Sequence, residues 1–182
     1  MQEKSTPPPL PDDVRRRMTG VARANGLGVV VVAGLSLGAA MLAGYWDLVG
    51  WSALAVLAGG LELRGQHALR QGDPQGLVGL IGAQFLLLVV IWAYAWLRWR
   101  NFDPDTYWAQ IPSYAQELLL QRMRSEGLDP ELDRPLLLML SNLLTCICLA
   151  AVSFVYQGGL AAYYAVKSRH LTPPAGDAPP GD

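Results

Sequence analysis

The chain has 182 residues, 52% of them apolar and 16% charged, with a net charge of −1 at pH 7. Soluble domains carry about 25% charged residues, so this composition argues against a water-soluble domain. The near-zero charge also removes the electrostatic footprint of a nucleic-acid binder. Lys4 and Lys167 are the only lysines among the 14 basic residues, a bias expected of a GC-rich bacterial genome.

Residues 1–20 combine Pro7-Pro8-Pro9 and Pro11 with Arg15-Arg16-Arg17, and this tail is expected to be disordered and cytoplasmic. Four apolar segments follow, at 21–43, 48–69, 77–97 and 136–166. A helix of about 20 apolar residues crosses the ~30 Å hydrocarbon layer, where the backbone can satisfy itself only as a helix or a closed barrel. Leu77 to Leu97 contains no charge, and Gln84 is its one strongly polar side chain. The expected fold class is therefore all-α: a polytopic membrane protein whose four transmembrane helices fill residues 21–170 as a bundle. The basic cluster before the first span has the order of a signal peptide. Its apolar run, however, outlasts the usual core of about 7–15 residues, and no small-residue cleavage site follows. An uncleaved span is expected. Gly34 and Gly38 form a GxxxG continued by Ala40 and Gly44, a spacing that lets helix backbones approach closely.

Beyond the third span, Asp103-Pro104 reads as an N-cap followed by proline at the first helical position. Trp108, Ile111, Ala115, Leu118, Leu119 and Met123 then recur at helical spacing. They predict one extramembrane amphipathic helix over 104–126, lying in the membrane interface and ending at Gly127. The tail 171–182 is again rich in Pro, Gly and Asp and is expected to be disordered. Cys146 and Cys148, at i and i+2, point to nearly opposite sides of one helix and are expected to be packing residues.

Four spans put both termini on one side. With that side cytoplasmic, it holds nine basic residues: Lys4, Arg15, Arg16, Arg17, Arg23, Arg64, Arg70, Lys167 and Arg169. The other holds five: Arg98, Arg100, Arg122, Arg124 and Arg134. The positive-inside rule favours cytoplasmic termini, in the inner membrane of a bacterium. Tryptophans cluster at the opposite end, where Trp92, Trp96 and Trp99 form an i, i+4, i+7 stripe read as an interfacial anchor.

An ionisable side chain inside a span is a functional candidate by default, and Glu62 is the one such residue. At 1.5 Å per residue it lies roughly 21 Å down the second helix from Leu48. Gln84 lies about 10 Å in from Leu77, and Gln157 about 13 Å from Val166. The three share the cytoplasmic third of the bilayer. Glu62 shares a helix face with Ala55, Ala58, Gly59 and Gln66, so its carboxylate is expected to face the bundle. Gln84 is its expected hydrogen-bond partner and Arg23 its expected counterion. Asn142, in the outer third of the fourth span, stands too isolated to extend this cluster.

Other chemistry is sparse. There is no GxSxG, Walker loop, HExxH or dinucleotide-binding turn, and His67 and His170 sit in polar flanks unsuited to haem. No enzyme activity, cofactor or metal is expected. The expected partners are the lipid bilayer and a membrane-protein partner or second copy, with no nucleic acid. The first functional reading is a non-enzymatic accessory or scaffold subunit. The alternative is a small transporter or channel component with Glu62 in an ion or proton path.

Overall fold

A computed structural model describes residues 11–73 and 75–168. It is all-helical: α1 (Pro11–Ala43), α2 (Trp46–Arg70), α3 (Gln75–Arg100), α4 (Pro104–Gln110), α5 (Ser113–Ser125) and α6 (Asp133–Ser168). Helices α1, α2, α3 and α6 are each long and apolar enough to cross a membrane. At 1.5 Å per residue α1 and α6 extend about 50 Å, well beyond the ~30 Å hydrocarbon layer.

Polarity is arranged inside out. Val32, Leu35, Leu42, Val78, Val152 and Val155 are between 66% and 93% exposed, whereas Glu62, Gln84, Asn142 and Gln157 are each 5% exposed or less. In water a surface so rich in large apolar side chains drives association; against lipid tails it costs nothing.

The chain divides into two compact units. The first joins α1, α2, α3 as far as Val90 and α6 from Phe154; the second is Ile91–Ser153. In the first, Val14, Met18 and Ala22 of α1 close on Leu69 of α2, Leu80 of α3 and Tyr164 of α6. This corrects the expected boundary at residue 21, because α1 begins ten residues earlier. Proline is tolerated in a first helical turn, and Asp12 and Asp13 suit the positive end of the helix dipole. Val14, Met18 and Ala22 then recur every fourth residue among the arginines and bury one side of the new turns. Residues 1–10 and 171–182 of the two expected tails lie outside the described residues.

Backbones approach closely at two places on α2. A Cβ on Gly59 would stand 3.1 Å from Gly26 O of α1, and one on Gly65 would stand 2.8 Å from Gly76 O of α3. The GxxxG of α1 is not among these contacts: a Cβ on Gly34 or Gly38 would meet nothing within 4 Å. Helices α1, α2 and α5 end alike, on Gly44, Gly72 and Gly127 at φ of 73°, 86° and 77°. At α2, Gly72 N–H donates to Leu69 O and Asp73 N–H to Ala68 O, the paired bonds of a Schellman cap.

In the second unit, Asp103 caps α4, its carboxylate accepting from the Asp105 and Thr106 amides and the Thr106 hydroxyl. The Thr106 side chain, with the two amides, holds the Asp103 carboxyl below the usual carboxylate range. The single amphipathic helix expected over 104–126 is instead broken in two. Pro112 offers no N–H and pushes the preceding residue out of the helical region, and Ile111 is extended at φ −76°, ψ 132°. Gln116 Nε2 mends the break by donating to Trp108 O and Ile111 O, each at 2.9 Å. Arg134, at the start of α6, pairs with Asp105 at 3.1 Å and stacks over Trp108 at 5.1 Å from the ring centroid.

Candidate functional site

Every described helix of the first unit contributes to a buried polar cluster. On α2 the face formed by Ala58, Gly59, Glu62, Gly65, Gln66 and Leu69 is buried. Glu62 lies three residues after Gly59 and three before Gly65, so the two close backbone approaches flank it. The approach to α1 brings the short Asn25 side chain, next to Gly26, within reach: Asn25 Nδ2 donates to Glu62 Oε2 at 2.6 Å. From α6, the Tyr164 hydroxyl donates to Glu62 Oε1 at 3.1 Å. Asn25 is held in turn, its Oδ1 accepting from the Tyr156 hydroxyl at 2.9 Å.

The carboxylate is thus embraced by neutral donors. Arg23, the expected counterion, is exposed on α1, and no ion pair links it to Glu62 among the described residues. Two positions from Asn25, it lies on another side of the helix, where a long cationic side chain can reach toward water.

The three glutamines are held differently. Gln66, Gln84 and Gln157 are 7%, 1% and 5% exposed. Gln84 neighbours the carboxylate, yet neither its Nε2 nor its Oε1 has a hydrogen-bond partner among the described residues. Gln84 acts on the Glu62 carboxylate as a side-chain partner, as expected, without reaching ordinary hydrogen-bond geometry, while Asn25 and Tyr164 supply the two bonds that do. A buried polar atom left without a partner costs about 1–3 kcal/mol, and Gln66 Nε2 and Gln157 Oε1 are two such atoms among the described residues.

The chain matches no family model, no curated protein and no solved structure. The chemistry of the site has to be read from its own residues.

The second unit carries polar contacts of its own. Arg98 Nε donates to Asn142 Oδ1 at 3.0 Å and Arg98 Nη1 to the Tyr94 hydroxyl at 3.1 Å. Asn142, judged isolated from sequence, is therefore the partner of an arginine that reads in sequence as a helix-end charge. Trp92, Trp96 and Trp99 are all exposed on α3. Trp92 Nε1 donates to Ala150 O at 3.1 Å, and the Trp96 and Trp99 rings lie 5.1 Å apart. Cys146 is buried and Cys148 exposed, both as free thiols.

Asn25, Tyr156 and Tyr164 are the site residues that the sequence did not reveal, whereas Gln66 was placed on the Glu62 face by its spacing. Asn25 left a signal, as a polar residue in the same turn as Ala22 and Gly26 on a small-residue face. The tyrosines left none, because an aromatic in a span reads as apolar bulk until its hydroxyl has an address.

Proposed function

We propose that this is a multi-pass protein of a bacterial inner membrane, with both termini cytoplasmic, acting as a small transport or channel component with Glu62 in an ion or proton path. The observation that carries this reading is a buried carboxylate held by neutral donors beside unpartnered glutamine amides. A purely structural polar network is stabilising when every member is satisfied, and a half-satisfied one is worse than an apolar core. Polar groups left open within a span are characteristic of pathways for ions and protons. The excess of basic residues on the terminal side supports the orientation. The apolar side chains of Tyr114 and Leu118, exposed on α5, support an interfacial position for α4 and α5 on the opposite side, with Trp92, Trp96 and Trp99 as their aromatic belt.

Reconstitution into liposomes tests the reading. The protein should pass protons or monovalent cations down an imposed gradient. Glu62→Gln should abolish the flux while melting in detergent close to wild type. Flux unchanged in Glu62→Gln would refute it. A second reading, an accessory subunit working through helix contacts, is favoured by the open small-residue face at Gly34 and Gly38 of α1. Its mark is a stoichiometric partner on purification in mild detergent, lost in Gly34→Leu.

A further inference from the structure

The hydrogen bonds around Glu62 discriminate between the occupants that could neutralise it. A metal cation needs oxygen lone pairs turned toward it. Here the carboxylate oxygens face an N–H of Asn25 and an O–H of Tyr164, and a metal ion would have to turn both away. A proton on Oε1 leaves the Asn25 bond in place and requires only that the Tyr164 hydroxyl turn. The two oxygens are not equivalent in this respect. Asn25 presents its NH2 group to Oε2 while its own Oδ1 is engaged by Tyr156, so toward Asn25 Oε2 can only accept a hydrogen bond. Oε1 faces a phenol hydroxyl, which both donates and accepts.

We propose that the Glu62 site binds a proton, that the proton sits on Oε1 facing Tyr164, and that Tyr156 is a positioning residue that holds Asn25 in the orientation imposing this choice. When the proton arrives from solvent, a new O–H bond forms at Oε1 and donates to the Tyr164 oxygen. The Tyr164 hydrogen then needs another acceptor. Gln84 Oε1 and Gln157 Oε1 are buried acceptors without partners in the same unit. Gln157 lies two turns before Tyr164 on one face of α6, the direction in which helical side chains lean. The titratable groups around the carboxylate are few. Tyr164 faces it from α6, with Tyr163 against the Tyr164 ring, and Tyr156 stands one bond further through Asn25. Helix α3 presents only the amide of Gln84. Arg23 of α1 and Arg64 and His67 of α2 are exposed.

The proposal rests on the transport reading only for the use made of the proton, and its test is independent of flux. Infrared difference spectra of the full chain in detergent are recorded against pH and taken as wild type minus Glu62→Gln, which cancels the other carboxyls among the 15 Asp and Glu residues. They should contain one carboxylic acid C=O band that titrates. Sodium or potassium should leave it unchanged. With the proton on Oε1 the C=O oxygen is Oε2, so Asn25→Leu should move the band to higher frequency by removing its donor. Tyr164→Phe should move it less. Tyr156→Phe, at an exposed position, removes only the hydroxyl bonded to Asn25 and should split the band as the Asn25 amide becomes free to turn. Absence of the band at every pH, or its erasure by sodium, overturns the proposal even if flux is observed. So does a larger upward shift in Tyr164→Phe than in Asn25→Leu, or an unsplit band in Tyr156→Phe. The full predicted pattern without flux would sustain the site and refute the transport reading instead.

Discussion

The close approach at Gly65 is the most quantitative consequence of the packing. Gly65 stands one turn beyond Glu62 on α2, and an added Cβ would lie 2.8 Å from Gly76 O, 3.0 Å from Leu80 N and 3.2 Å from Gly79 C. All three are backbone atoms of α3, so no rotamer change relieves them. Ordinary contact begins at 3.4 Å, which requires α3 to retreat by roughly half an ångström, a strain in the range of about 1–3 kcal/mol for an overpacked core. Alanine returns up to about 1 kcal/mol of helix propensity, which would obscure a single measurement. Gly60 removes the ambiguity: it lies in the same helix, and a Cβ there would meet nothing within 4 Å. Gly65→Ala should therefore be less stable than Gly60→Ala by about 1–3 kcal/mol in reversible unfolding from mixed detergent micelles. Equal stability of the two variants would refute the glycine-to-backbone contact of α2 with α3.

Glu62→Leu leaves Asn25 Nδ2 and the Tyr164 hydroxyl without their acceptor and should lower stability by about 1–2 kcal/mol, the scale of interhelical hydrogen bonds in membranes. Glu62→Gln keeps an acceptor for Asn25 and should lose less in the same unfolding assay. Asn142→Leu strands Arg98 Nε and should cost about 1.5–3 kcal/mol, the range for hydrogen bonds to charged groups, whereas a truly isolated Asn142 would be replaced without loss. Because the Asp103 carboxyl is held below its ordinary range, its cap is complete above the unfolded-state carboxylate pKa and is lost as pH falls through the lower folded one. Hydrogen exchange at the Thr106 amide should report that loss under acid and, in Asp103→Asn, should no longer change there.

The four long apolar helices were legible because length and hydropathy carry them, as in the uncharged run from Leu77 to Leu97. Boundaries were less so. The start of α1 was hidden because Arg15, Arg16 and Arg17 surround the one-residue-in-four stripe of Val14, Met18 and Ala22, and composition averages the stripe away. The break at Pro112 was open to reading, since proline cannot continue a helix from the preceding turn, but the apolar spacing across it dominated. For the site, the burial of Glu62 and the nearness of Gln84 followed from the sequence, whereas the bonds from Asn25 and Tyr164 did not. Which residue of α1 faces it depends on the register of two helices, set by Gly26 against Gly59. A shift of two positions exchanges Arg23 for Asn25. The role of Gly65 and Gly76 was equally silent, because a lone glycine in a span has no sequence mark that separates contact from lipid exposure, as the open GxxxG of Gly34 and Gly38 illustrates.

A double-mutant cycle between Asn25 and Glu62 tests the central geometry most directly. Asn25→Leu, Glu62→Leu and the double variant would be unfolded reversibly in the same detergent mixture as the wild type. If α1 and α2 meet through the 2.6 Å bond from Asn25 Nδ2 to Glu62 Oε2, the two substitutions should be non-additive by roughly 0.5–1.7 kcal/mol, the double variant losing less than the sum. Additivity within about 0.3 kcal/mol would mean that the two side chains do not meet, and would contradict the site.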